Sequence, residues 1–198
     1  VCVLKTFNIT SMHLIAESQA CPGAVILARD KPDIVRNIAL IRPLGFSVQA
    51  LGESDEARMR VFRRRFLKSA LQFSQSLLHD VRNASIALTM IKMTLREPSV
   101  GSFNKKYAVG VSYDLIEYSR EVAKQQQLKH AAFVLILGEK DRLFPPKEVF
   151  GALTAADIKG LTVHVVPRVG HASLAVKASR TTLKQALEAV REDLSVPV

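Results

Sequence analysis

With 198 residues, 48% of them apolar and 23% charged, the chain has the size of one domain, or one domain with an inserted subdomain, and the apolar content of a soluble globular protein. That content excludes a disordered chain, and nine Gly with eight Pro exclude collagen. The net charge of +10 is large enough that its location has to be asked before any anionic partner is excluded.

The first segment, to residue 52, alternates compact apolar runs with turns. Residues 12–16 and 38–41 read as strands, and residues 24–28 as a helix with Pro22 near its start, where the missing N–H has no intrahelical partner to lose. Neither run alternates with polar residues, which is the pattern of parallel strands covered on both faces. Residues 1–21 carry Lys5 and end in Ser-Gln-Ala-Cys, a faint likeness to an exported lipoprotein signal. Asn8, Thr10, Ser11, His13, Glu17 and Ser18 leave no apolar stretch for one. With no initiating Met, the chain reads as a fragment, a processed product or the ordered part of something longer.

The middle segment, 53–112, reads as a helical insertion. It opens on Gly52-Glu53-Ser54-Asp55-Glu56, a turn followed by acids that favour a helix N-terminus, and closes on a loop at 98–102. Between Arg58 and Arg96 lie nine Lys or Arg against one acid, Asp80. Apolar residues at 62, 66, 70, 73, 77, 81, 88, 91 and 95 recur mostly at steps of three or four, the spacing of buried helix faces. The basic residues therefore read as the solvated outer face of a packed element. The aromatic platforms of a single-strand nucleic-acid binder are missing, so nucleic acid is not the expected partner.

The last segment, 113–198, resumes alternation: a helix at 114–127, a strand at 133–137, a helix at 146–156, a strand at 161–166, a loop at 167–170 and a final helix at 174–194. The class is α/β, residues 1–52 and 113–198 forming the core and 53–112 an inserted helical subdomain. The longest apolar run, residues 131–137, is far short of the roughly 18 residues that span a bilayer, so no membrane span is expected. Two Cys, Cys2 and Cys21, build neither a disulfide framework nor a zinc site, which points to a reducing, cytoplasmic setting.

Three residues stand where chemistry is placed in open α/β sheets, just beyond the carboxyl ends of strands. Ser18 lies at a strand-to-helix turn in Ala16-Glu17-Ser18-Gln19-Ala20, with small Ala two residues to either side, as a tight turn requires. Asp141 follows the strand at 133–137, and His171 follows the last strand in Val169-Gly170-His171. Taken singly, Ser18 reads as a helix N-cap and Asp141 as a turn former. Taken together they supply a hydroxyl, a base to accept its proton and an anion to orient that base, in the order Ser, acid, His. His13 and His164 fall within strands, His79 in the insertion and His130 at a helix end.

On these residues the chain resembles the α/β-hydrolases of the lid-bearing type that includes esterases, lactonases and carbon–carbon bond hydrolases. Residues 13–20 match the nucleophile elbow, Pro32-Asp33-Ile34-Val35 through Leu40-Ile41-Arg42-Pro43 the helix end and next strand, 138–146 the acid loop, 169–171 the histidine loop and the insertion the lid. The resemblance spans residues 4–194 and implies catalytic Ser18, Asp141 and His171, an oxyanion donor at the Gln19 N–H, and no metal or organic cofactor. It also implies a sheet lacking the family's front strands and the second oxyanion donor that their loop carries. Ester or related acyl-bond hydrolysis of a small-molecule substrate is therefore the expected activity, the alternative being a weakly active or non-catalytic binding module on the same fold. The open edge of strand 12–16 is expected to associate, with a second copy or with a separate N-terminal fragment. The basic face would favour an acidic substrate, with Arg63, Arg64 and Arg65 as its contacts.

Overall fold

The computed structural model describes Thr6, residues 8–77, residues 115–171 and Lys184. Within them, β1 (Met12–Glu17), β2 (Val35–Ile41), β3 (Phe133–Gly138) and β4 (Thr162–Val166) form one sheet in that order, every neighbour parallel. Four helices accompany it: α1 (Cys21–Asp30), α2 (Asp55–Leu77), α3 (Ile116–Leu128) and α4 (Pro146–Ala155). None is long and apolar enough to cross a membrane.

The core sits on the two central strands. Ile38, Leu40, Phe133, Leu135 and Leu137 face one side, where they join Val25 and Ala28 of α1, Val122 of α3, and Val149 and Leu153 of α4. Ala39, Ile41, Val134 and Ile136 form a second cluster on the opposite side with Val166 and Val169. Each fully buried Ile, Leu or Phe contributes about 1.5–3 kcal/mol, so β2 and β3, filled on both faces, anchor the sheet.

β1 departs from the expectation of two covered faces. Ala16 is buried and Met12 and Leu14 pack against the main core, but Ile15 is 60% exposed. Among the described residues β1 pairs with β2 alone, so it is an edge strand. β2 begins three residues earlier than its apolar run suggests. Its buried Asn37 is tolerated because the side-chain oxygen accepts the Ala132 N–H at 2.8 Å and the side-chain nitrogen lies 3.1 Å from His13 Nδ1.

α1 extends beyond the expected 24–28 in both directions, with Pro22 in its first turn. α2 starts where Ser54 caps it, its Oγ accepting the Ala57 N–H at 3.2 Å, and Asp55 and Glu56 fill the first turn. The remainder of the insertion, residues 78–112, and the expected helix over 174–194, Lys184 apart, lie outside the described residues.

Candidate active site

The carboxyl ends of three strands deliver the site. β1 ends at Glu17, and Ser18 follows with φ +52°, a left-handed backbone that costs a non-glycine residue about 1–2 kcal/mol. A short 3₁₀ turn, Ser18–Ala20, leads directly into α1. This sharp reversal swings the hydroxyl out of the strand and above the sheet edge. Ala16 and Ala20 flank it without crowding, and the Leu44 N–H, from the loop after β2, donates to the Ser18 carbonyl at 3.2 Å. The N-cap reading of Ser18 is not what the structure shows. No side chain caps this helix start; instead Ser18 Oγ lies 2.9 Å from His171 Nε2.

Asp141 is 3% exposed at the turn after β3. A carboxyl group is costly to bury unless its oxygens are hydrogen-bonded, and here they are. Oδ1 accepts the N–H groups of Leu143 at 2.8 Å and Phe144 at 3.0 Å, while Oδ2 stands 2.8 Å from His171 Nδ1. One oxygen thus fixes the turn, as the turn-former reading expects, while the other faces the imidazole. An imidazole carrying its proton on Nδ1 would donate to Asp141 and leave Nε2 to accept from the Ser18 hydroxyl.

His171 is held by the loop after β4. That loop is laced to the acid loop: the Glu139 N–H donates to Val166 O at 3.0 Å and the Lys140 N–H to Val169 O at 2.9 Å. The approach is so close that a Cβ on Gly138 would lie 2.5 Å from Val169 O, so only glycine fits at the end of β3. Phe144 packs its ring against the imidazole edge at 5.8 Å, and Phe62 of α2 stacks on Phe144 at 6.0 Å. Leu44, Met59, Phe62, Leu143 and Phe144 form one apolar cluster, so the first half of α2 is seated on the acid loop.

Gln19, whose N–H the resemblance implies as an oxyanion donor, lies exposed in the turn after Ser18, at the start of the helical stretch. The first N–H groups of a helix have no intrahelical acceptor, which suits that role. Arg65 is already engaged and corrects the expectation that it meets an acidic substrate. Its guanidinium grips both carboxylate oxygens of Glu148 at 2.7 and 2.9 Å and donates to Leu143 O at 3.3 Å. A hollow of about 580 Å³ beside it is lined by Arg65, Lys140 and Arg142 but equally by Glu139, Asp141 and Glu148, and neither Ser18 nor His171 reaches it.

Four contributors escape a reading of the sequence. Gly138 looks like any strand-ending glycine, and Phe62 and Phe144 like ordinary core. Arg42 is the fourth: it closes an otherwise apolar run just before Pro43, yet is 2% exposed. A charged residue inside such a run is the one signal that could have marked it.

The parallel sheet, the strained serine turn and the acid and histidine loops define the α/β-hydrolase fold, and solved structures agree. An enzyme that degrades N-acyl homoserine lactones superposes with a TM-score of 0.65 at 14% identity, over 94% of this chain and 70% of its own. A thermophilic esterase from Thermogutta terrifontis gives 0.63 at 16% identity, over 98% and 70%. The meta-cleavage product hydrolase of Pseudomonas fluorescens gives 0.57 at 15%, over 96% and 68%. No protein-family model and no curated protein sequence matches the chain.

Proposed function

We propose that the chain is a serine hydrolase acting on a carboxylic ester or related acyl bond. The observation that supports this reading is the continuous relay of 2.9 Å from Ser18 Oγ to His171 Nε2 and 2.8 Å from His171 Nδ1 to Asp141 Oδ2. Similar folds belong to proteins described as an esterase, a lactone-degrading enzyme and a meta-cleavage product hydrolase, the chemistry this relay suits.

In the proposed reaction Ser18 Oγ attacks the acyl carbon as its proton passes to His171 Nε2. Asp141 keeps the imidazole in the required tautomer and stabilises the imidazolium. The oxyanion points at the Gln19 N–H. Collapse expels the alcohol, protonated by His171, and leaves an acyl ester on Ser18; a water deprotonated by the same imidazole then releases the acid. The helical insertion acts as a lid over the acyl chain, with the apolar cluster around Phe62 and Phe144 as its seat.

Hydrolysis of p-nitrophenyl esters of graded chain length tests the reading. Activity that disappears in Ser18→Ala is the expected result; hydrolysis that persists in this variant at the wild-type rate rejects it, and so does a wild type without activity on any acyl length.

A further inference from the structure

Arg42 occupies the junction between the serine turn and the histidine loop. It follows β2 directly, with its backbone N–H donating to Ile136 O at 2.7 Å. Its guanidinium pairs through Nη2 with the carboxylate of Glu17, the residue before Ser18. Through Nη1 it donates to the carbonyl of Gly170 at 3.1 Å, the residue before His171. Ser18 and His171 are 153 positions apart in sequence and hang from strands at opposite edges of the described sheet. One side chain therefore holds the immediate neighbours of both.

Stability alone does not explain an arginine here. Its side chain is 1% exposed while that of Glu17 is 40% exposed, so a guanidinium is stripped of water for a partner that remains partly hydrated. Such an arrangement is commonly matched or improved in stability by an apolar side chain of similar volume. Arg42 also carries φ +47°, a left-handed backbone that disfavours any residue with a Cβ. Two unfavourable features at one position, beside groups that must meet within a fraction of an ångström, mark a residue retained for geometry.

We infer that Arg42 is a positioning residue for the proposed hydrolysis: it clamps the histidine loop to the serine turn and so sets the distance between His171 Nε2 and Ser18 Oγ. It touches neither substrate nor reacting atoms. The inference rests on the serine hydrolase reading, and its test keeps the two apart.

The test compares wild type, Arg42→Met, Arg42→Lys and Glu17→Gln in p-nitrophenyl ester hydrolysis, thermal unfolding and amide hydrogen exchange. In Arg42→Met, a change of similar volume, kcat should fall about 10²-fold, the scale of a 1 Å misplacement, with KM nearly unchanged. Its Tm should stay level or rise, and exchange should quicken in the peptide carrying residues 166–171 but not in β2 and β3. Arg42→Lys, keeping the charge without the fork, should recover part of kcat. Glu17→Gln leaves the Gly170 contact in place; it should lose less than Arg42→Met, and it supplies the test should Arg42→Met fail to fold. A wild-type kcat in Arg42→Met, or in Glu17→Gln if only that variant folds, overturns the positioning role while leaving the hydrolase reading intact. A fall in Tm with kcat preserved per folded molecule also overturns it. Wild-type hydrolysis that does not depend on Ser18 removes the hydrolase reading itself, and the inference falls with it.

Discussion

Asp141 divides its carboxylate between two tasks, one oxygen fixing the turn through Leu143 and Phe144 and the other meeting His171 Nδ1 at 2.8 Å. Asp141→Asn separates them. The amide oxygen still accepts the two backbone N–H groups, but the amide nitrogen facing Nδ1 demands the opposite imidazole tautomer. We predict a fall in kcat of about 10⁴-fold with a Tm close to wild type. A variant that keeps its activity would show that the Asp141–His171 contact does not serve the reaction.

Ser18 bears its strain in every state of the site, because φ +52° belongs to the turn. Ser18→Gly relieves that strain and Ser18→Ala does not. After the greater chain entropy of glycine is subtracted, the Gly variant should be more stable than the Ala variant by about 0.5–1 kcal/mol, the reverse of their order in a regular helix. Urea unfolding of the two gives the sign, and an Ala variant that is the more stable contradicts the left-handed turn.

Gly138 is where the acid and histidine loops come closest. In Gly138→Ala the new methyl meets Val169 O at 2.5 Å, and backbone rather than a flexible side chain has to yield. We predict a loss of about 1–3 kcal/mol in stability together with reduced kcat, since His171 lies two residues beyond Val169. Unchanged Tm and kcat would show that the loops have more room than this approach allows.

Cys21 opens α1, is fully buried, and has its Sγ 3.8 Å from Ile41 O. Burial pushes its thiol up from 9.0 to about 12. Folding then favours the protonated thiol. This stability is present in full below the unfolded value of 9.0 and is lost as pH rises towards about 12. Alkylation followed by peptide mapping should leave Cys21 unmodified in the folded protein and modify it in urea. Wild type should lose stability relative to Cys21→Ala as pH climbs above 9.0. Rapid native alkylation of Cys21 would contradict its burial.

The order of strands and helices is legible in the sequence because apolar runs and turn residues are local signals. So is the placement of Ser18, Asp141 and His171, each just past the end of an apolar run. Single residues are less clear: a serine between strand and helix is written the same way whether it caps the helix or turns away from it, and only the distant His171 decides. The edge position of β1 is equally hidden, since a strand at the edge of a parallel sheet reads like one at its centre. Arg65 looks like one more cation on a basic face until Glu148, far along the chain, takes up its fork. What local pattern omits in each case is a long-range partner.

The central claim is that Ser18 is a nucleophile activated by His171. Reaction with a fluorophosphonate, followed by intact-mass analysis and peptide mapping, tests it most directly. We predict one adduct, on Ser18, absent in Ser18→Ala and formed far more slowly in His171→Ala. A wild-type protein that remains unmodified under conditions that label a known serine esterase, or an adduct that maps to another residue, would contradict the claim.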